Sequence, residues 1–316
     1  MSANERYFPA LAPPQPAGEG MKKILKRNSL SEMQKNRTIK PPVDFGCRTI
    51  KENLDLLLTD KTTHHNLTWG CGADGSKEIT PKDVYSRVKT RLERSAEDNV
   101  MRKKIYGEVF TPAWLCNEMN STYDVAYLAA DSCFNIQGVK SWTASADPVK
   151  FKRPGGYSDY LKAKCLELTC GEAPFLASRY DMTTGEMIPV KSRIGLLDRK
   201  LRVAGEYAKN PDEWHNYAME SLKSVYGYDF LGESVFIARC NLLLTYHEQF
   251  SSRYSYKLPD ERIREAAEHL SWDIWQMDGL TDTVPNGKTL ARTMDWDTGV
   301  PVIFHFLKKD GEGLEC

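Results

Sequence analysis

Three acids stand where apolar stretches give way to turns, and their order along the chain suggests a chemistry. Glu167 lies within C-L-E-L-T-C-G-E-A-P-F-L at 165–176, Asp229 ends Y-G-Y-D at 226–229, and Asp278 closes W-D-I-W-Q-M-D at 272–278. A carboxylate at a strand end can accept two hydroxyl hydrogens from a ribose, the role open to Asp229. It can equally accept from an adenine amino group, the role open to Asp278. Gly171 would let the backbone approach a ligand, and a helix starting behind it would offer free N–H groups to an anion. Together these features describe a nucleoside-bearing ligand with a small charged end. Any one such Asp, taken alone, is more often a turn or cap residue; the ordered series of three carries the reading. A dinucleotide site is a poor match. C-G-E-A-P is not G-x-G-x-x-G, and Gly171 to Asp229 far exceeds the ~20 residues that separate glycines from acid in that fold.

An acid inside a strand also needs a reason. Burying a carboxylate is costly unless a counter-charge or hydrogen bonds meet it, so Glu167 is expected to face either backbone and Arg groups or a cation that belongs to the ligand.

At this point the chain resembles a known family, the N6-adenine DNA methyltransferases of restriction–modification systems. L-E-L-T-C-G-E-A-P-F-L resembles their motif I, a strand and loop that hold S-adenosylmethionine. Y-G-E-V-F-T-P-A-W-L-C-N-E-M at 106–119 resembles motif X, which closes over the methionine end. Y-G-Y-D-F-L-G-E-S resembles motif II and W-D-I-W-Q-M-D-G-L motif III, in the order X, I, II, III. R-I-G-L-L-D-R-K-L-R-V at 193–203 looks like chains described as restriction endonucleases or their modification subunits. The resemblance covers roughly residues 102–280. It implies a Rossmann-like α/β, parallel-sheet, S-adenosylmethionine-dependent methyltransferase fold. It also implies a cofactor site made of Thr111, Pro112, Glu167, Thr169, Cys170, Gly171, Asp229, Phe230 and Asp278, with Glu167 facing the amino group of the cofactor's methionine. DNA is the implied partner, with a restriction or specificity subunit as a possible second one.

The sequence departs from that family at the reaction itself. The D/N/S-P-P-Y/F loop, which binds the target amino group and stacks on the flipped base, is not found. I-K-P-P-V at 39–43 has the prolines but neither the polar residue before them nor the aromatic after. Without groups that position the acceptor nitrogen, a bound methyl donor accelerates nothing. Three alternatives stay open: an unrecognised loop such as Asp295-Trp296-Asp297 or Asn286, a partner chain that supplies the target half, or a cofactor-sensing or DNA-binding protein without methyl transfer. Trp296, Trp275 and Phe110 are the aromatic candidates for base stacking, each more commonly a packing residue. A D…E-x-K nuclease site is not apparent, since Asp181, Glu186 and Lys191 fall in an expected turn without the spacing that magnesium needs. No metal site is expected.

The elements that must position these residues follow from periodicity. Strands are expected at 165–169, 225–230, 271–279 and 300–307. Helices are expected after Pro81, after a Thr111 cap with Pro112 at the first helical position, and over 195–208, 212–225, 233–250 and 260–270. Strands alternating with helices imply a parallel sheet. Three regions are expected: a disordered, basic arm at 1–40, a mostly helical or irregular accessory region at 41–104, and the methyltransferase-like domain at 105–316. The arm concentrates Lys22, Lys23, Lys26, Arg27, Lys35, Arg37 and Lys40 against Glu32. With R-V-K-T-R-L-E-R-S and M-R-K-K it is either a contact for phosphates or a solvated tail.

Bulk composition excludes several classes. Of 316 residues 41% are apolar, enough for a sizeable core, and the formal net charge is zero, so no global field draws the chain to nucleic acid or a membrane. No apolar run approaches the ~20 residues of a membrane span, and the N-terminus lacks a secretory pattern. The eight cysteines form no C-x-x-C pair, the usage of reduced thiols in a cytoplasmic protein.

Overall fold

A computed structural model describes residues 41–305. The basic arm at 1–40 and the end of the last expected strand lie outside the described residues.

In chain order, α1 (Arg48–Lys51), α2 (Leu54–Leu58), α3 (Pro81–Ser86), α4 (Ala96–Tyr106) and α5 (Ala113–Asp124) precede a hairpin of β1 (Asn135–Gly138) and β2 (Ser141–Ala144). Then come α6 (Gly156–Lys162), β3 (Cys165–Glu167), α7 (Leu196–Tyr207), α8 (Pro211–Leu222) and β4 (Val225–Asp229). The chain continues through α9 (Gly232–Arg253), α10 (Asp260–Asp273) and β5 (Ile274–Gln276) to a second hairpin, β6 (Arg292–Asp295) and β7 (Val300–Ile303). The fold is mixed α/β. β3, β4 and β5 form a parallel sheet in that order, with Glu167 opposite Gly227 and Asp229 opposite Gln276. Parallel neighbours require long crossovers, supplied by α7–α8 between the first two strands and α9–α10 between the last two.

α9 is the central helix. Every residue from Gly232 to Tyr246 is buried, as expected of a helix that is apolar on all sides. Its one cation in that run, Arg239, is fully buried and donates to four carbonyls. Nε reaches Ile274 O at 2.7 Å, Nη1 reaches Leu57 O at 2.9 Å and Thr59 O at 2.8 Å, and Nη2 reaches Ser271 O at 2.7 Å. The guanidinium thereby satisfies carbonyl groups that α2 and α10 leave orphaned at their C-terminal ends, and burial lowers its pKa to about 10.

The segment before α3 packs into the same core through Val43, Ile50, Leu57, Leu58 and Leu67. Gln276, at the end of β5, ties it down: its Oε1 accepts from Thr68 N at 2.9 Å, and its Nε2 donates to Thr68 O at 2.9 Å and Phe230 O at 2.8 Å. A Cβ on Gly232 would lie 2.0 Å from Thr68 O, so only glycine permits this approach.

The D-R-K run of α7 is structural. Asp198 accepts from Ser178 N at 2.8 Å, Arg199 pairs with Asp124, and Lys200 donates to Leu161 O at 3.1 Å and Ser224 Oγ at 2.7 Å. All three are buried, and each charge is met by hydrogen bonds.

Several expected elements are corrected. No helix follows Gly171; a series of turns occupies 168–178, and the next α-helix begins only at Leu196. Thr169 (φ 46°), Gly171 (φ 55°) and Ala173 (φ 61°) all adopt left-handed backbone, which a helix cannot include. β3 is not a buried strand but an edge of the sheet, with Leu166 38% and Leu168 44% exposed. Thr111 does not cap α5. Pro112 takes the cap position, and Asp181 Oδ2 accepts from Ala113 N at 2.8 Å in place of a threonine. Ser271, Trp272 and Asp273 belong to the end of α10 rather than to the strand. The last strand pairs antiparallel with β6 instead of extending the sheet. The hairpin β1–β2, turning at Val139–Lys140, adds two strands outside the expected elements.

Candidate functional site

Beyond the carboxyl ends of β3 and β4 lies a cavity of about 680 Å³, where open parallel sheets place their ligands. Its lining brings together Thr111, Glu167, Thr169, Cys170, Gly171, Asp229 and Phe230. Pro112 adjoins Thr111 at the start of α5 without lining the cavity. Asp278 does not line it either; its Oδ1 accepts from Leu280 N at 2.9 Å and stiffens the turn after β5.

Glu167 stands at the last position of β3. Its carboxylate accepts from Phe175 N at 3.4 Å and from Leu176 N at 3.2 Å, the latter shared with Ala173 O at 3.2 Å. It is half-buried by surface, since the cavity opens on it, yet protein surrounds it closely enough to exclude most water. Burial pushes its pKa up to about 8; the two backbone N–H groups pull the other way and the charge of Asp229 adds to the rise. Asp229, one strand away, accepts from Leu231 N at 2.8 Å and Gly171 N at 3.0 Å, so it fastens the loop after β3 to the loop after β4. Burial raises it to about 6. The Cys170 thiol is buried and held well above its ordinary pKa by burial, which leaves it a neutral wall.

Gly171 needs its left-handed φ, and a Cβ there would meet nothing within 4 Å. A side chain at this position would project into open space beside the cavity. Gly171→Ala is therefore expected to lower stability by about 1 kcal/mol through the backbone and to weaken any ligand seated on this loop about tenfold, both measurable by melting and titration of the purified protein.

Sequence reasoning missed Arg94, Glu108 and Glu172, which also line the cavity. Glu108 and Glu172 lie inside the quoted Y-G-E-V-F-T-P and C-G-E-A-P segments, where only their neighbours drew attention. Arg94 precedes them in a segment read as accessory, and no local pattern marks it. Arg102 joins these groups, with Nε 2.9 Å from Glu108 Oε1 and Nη1 against Glu233 of α9. Arg94 lies 3.4 Å from both Glu108 and Glu233. Glu172 accepts from Arg91 N at 2.6 Å and Tyr180 Oη at 2.5 Å.

Of the stacking candidates only Phe110 lines the cavity, and the Arg91 guanidinium lies 3.5 Å from its ring centroid. Trp296 stacks on His269 and donates to Asp273, while Trp275 packs against Phe304 and Tyr228. Asn286 donates to Gly70 O at 2.8 Å, and Asp295 and Asp297 are held by Thr298 and Lys164. None of these lines the cavity. Asp181 caps its own turn through Thr183 N at 2.7 Å, and no group of three or more metal-ligating side chains occurs among the described residues. Of the basic clusters, Arg87 pairs with Asp74 and Asp83, Arg94 lines the cavity, Arg102 pairs with Glu108 and Glu233, and Lys89, Lys103 and Lys104 are exposed. No described helix is long and apolar enough to cross a membrane.

The two raised acids fix a pH dependence. Above its usual 4.5 Glu167 is ionised in the unfolded chain, whereas in the fold it keeps its proton to about pH 8. The folded state then binds more protons, so stability falls as pH rises through that window. Asp229 adds the same sign between its usual 3.8 and about 6. The melting temperature of the ligand-free protein is expected to drop by several degrees from pH 5 to pH 8.5; a flat or rising profile would contradict this.

Comparison with protein-family models, curated proteins and solved structures found no match to this chain.

Proposed function

We propose that this chain is an S-adenosylmethionine-binding protein of the adenine-N6 DNA methyltransferase type, belonging to a restriction–modification or phage-defence system, with a Rossmann-like fold around its sheet. The observation that carries this reading is the pairing of Glu167 with Asp229 across adjacent strand ends, in a cavity of the size a nucleoside cofactor needs. The donor set fits the ligand. Glu167 would meet the α-ammonium, Asp229 the ribose hydroxyls, the Gly171 turn the backbone of the amino-acid end, and Phe230 the adenine. When bound, the cofactor supplies an activated methyl group. The chain's own residues orient it and keep water from the cavity.

A second reading is favoured by the free edge of β3. Among the described residues the strand pairs only with β4, Leu166 and the following Leu168 are exposed, and the cavity is lined by one aromatic stacking candidate, Phe110. On that reading a partner chain contributes the groups that hold the target base, and this chain is the cofactor-holding subunit.

Mass spectrometry of DNA nucleosides from a methylation-deficient host expressing the chain separates the two. N6-methyladenine that disappears with Glu167→Ala supports methyl transfer by the chain itself. Absence of the mark, with cofactor binding intact, supports the subunit reading. Absence of both would contradict either.

A further inference from the structure

Phe110 lines the cavity and packs against the core, and the Arg91 guanidinium lies 3.5 Å from its ring centroid, the closest approach of a cation to a ring among the described residues. Arg91 is itself held in place. Its Nη1 donates to Met182 O, its backbone N–H donates to Glu172 Oε1 at 2.6 Å, and its buried Nε has no hydrogen-bond partner. A buried N–H without an acceptor is costly; the guanidinium meets the face of the ring instead. Arg91 does not line the cavity, so it covers the ring face turned away from it and leaves the other face to a ligand. Ser234, in the first turn of α9, also lines the cavity; it is 3% exposed, and its hydroxyl makes no hydrogen bond among the described residues.

Neither Phe110 nor Ser234 serves the cofactor contacts above. Adenine is bonded directly to ribose, so a ribose on Asp229 keeps it beside the loop after β4, where Phe230 stands. Phe110 belongs to a different segment, the one before α5. A cation behind a ring draws its electron density to the charged side, and the open face then favours an electron-rich planar partner over an aliphatic one. A free hydroxyl both donates and accepts, which suits the edge of a nitrogen heterocycle. Resting on the cofactor reading above, we propose that the cavity holds a second planar ligand beside the cofactor, the methyl acceptor itself: a single nucleobase stacked on Phe110 with its edge toward Ser234. Arg91 is a positioning residue that touches no ligand and fixes the plane of the ring. A base inside a duplex cannot reach this surface, so the substrate is a nucleotide extruded from DNA or already single-stranded. Phe110 thereby takes the stacking part of the missing D/N/S-P-P-Y/F loop from a position before the other cofactor segments.

Fluorescence titration of the full chain with 2-aminopurine riboside, whose emission is quenched on stacking, tests this without and with saturating S-adenosylmethionine, beside calorimetry of S-adenosylmethionine alone. The wild type is expected to quench the probe at millimolar concentration or below and to bind both ligands at once. Phe110→Leu should weaken the probe about tenfold, within the range of base–aromatic stacking, and leave the affinity for S-adenosylmethionine within about twofold. Arg91→Met should weaken the probe severalfold with the cofactor again unaffected, and Arg91→Lys, which keeps a cation behind the ring, should recover at least half of that loss. Displacement of the probe by S-adenosylmethionine assigns Phe110 to the cofactor and overturns the second ligand while leaving the cofactor reading standing. A probe that stays unquenched at millimolar concentration, or quenching that Phe110→Leu leaves intact, does the same. Failure of S-adenosylmethionine to bind overturns the cofactor reading and this proposal with it. The wild-type competition decides the matter even if a variant fails to fold.

Discussion

Glu167→Gln is expected to weaken S-adenosylmethionine binding about 100-fold or more and, at pH 8.5, to raise the melting temperature of the ligand-free protein by several degrees. Opposite signs on binding and stability distinguish a functional acid from a structural one. Removing one member of a poorly solvated ion pair costs about 3–5 kcal/mol, and each 1.4 kcal/mol is tenfold in affinity. In the empty protein the same carboxylate is a liability, because burial raises its pKa to about 8 and no cation answers it. An amide keeps the shape and loses the desolvated charge. At pH 5, where Glu167 is protonated in the empty fold, the two proteins should melt alike. Binding must also release protons near neutrality, since the cation favours ionised Glu167. Titration in two buffers of different ionisation enthalpy would then give different heats. The groups around Glu167 that share this field are Asp229 and the thiols of Cys116, Cys165 and Cys170. A variant that loses both binding and stability would mean that Glu167 is structural.

Arg239→Met is expected to lower stability by about 3–5 kcal/mol, the range for uncovering buried polar groups, and thus the melting temperature by roughly 10 °C in a chain of this size. The methionine keeps the stem inside the core and removes every donor. Four carbonyls, from Leu57, Thr59, Ser271 and Ile274, are left facing the space of one guanidinium. Arg239→Lys should recover only part of the loss, because a single ammonium cannot span the fork that four acceptors need. The loss should appear in thermal unfolding, with the affinity of the folded protein for S-adenosylmethionine unchanged. A Lys variant as stable as the wild type would show that the carbonyls find water.

Periodicity made β4 and α9 legible, since Val225–Asp229 and Gly232–Arg253 are buried through most of their length and their apolar residues leave little choice. The acids Glu167 and Asp229 were visible because each interrupts an apolar strand. The turns after Gly171 were not, because A-P-F-L reads as the start of a helical face. It is instead tied back to Glu167 through the Phe175 and Leu176 amides, with Ala173 in a conformation that propensity disfavours. Asp278 shows the opposite failure. Its place at a strand end suggested a ligand, and its oxygen caps Leu280. Arg94 was illegible for a third reason, since its role exists only once the chain has brought residue 94 beside 108 and 172. Thr111 lines the cavity, while the helix cap expected of it comes from Asp181.

A crystal structure of the chain grown with S-adenosylmethionine tests most directly whether the cavity between β3 and β4 is a cofactor site. The expected density places the ribose hydroxyls on Asp229 and the ammonium on Glu167, with the amino-acid end against Gly171. An empty cavity at millimolar ligand, or density away from these residues, would contradict it.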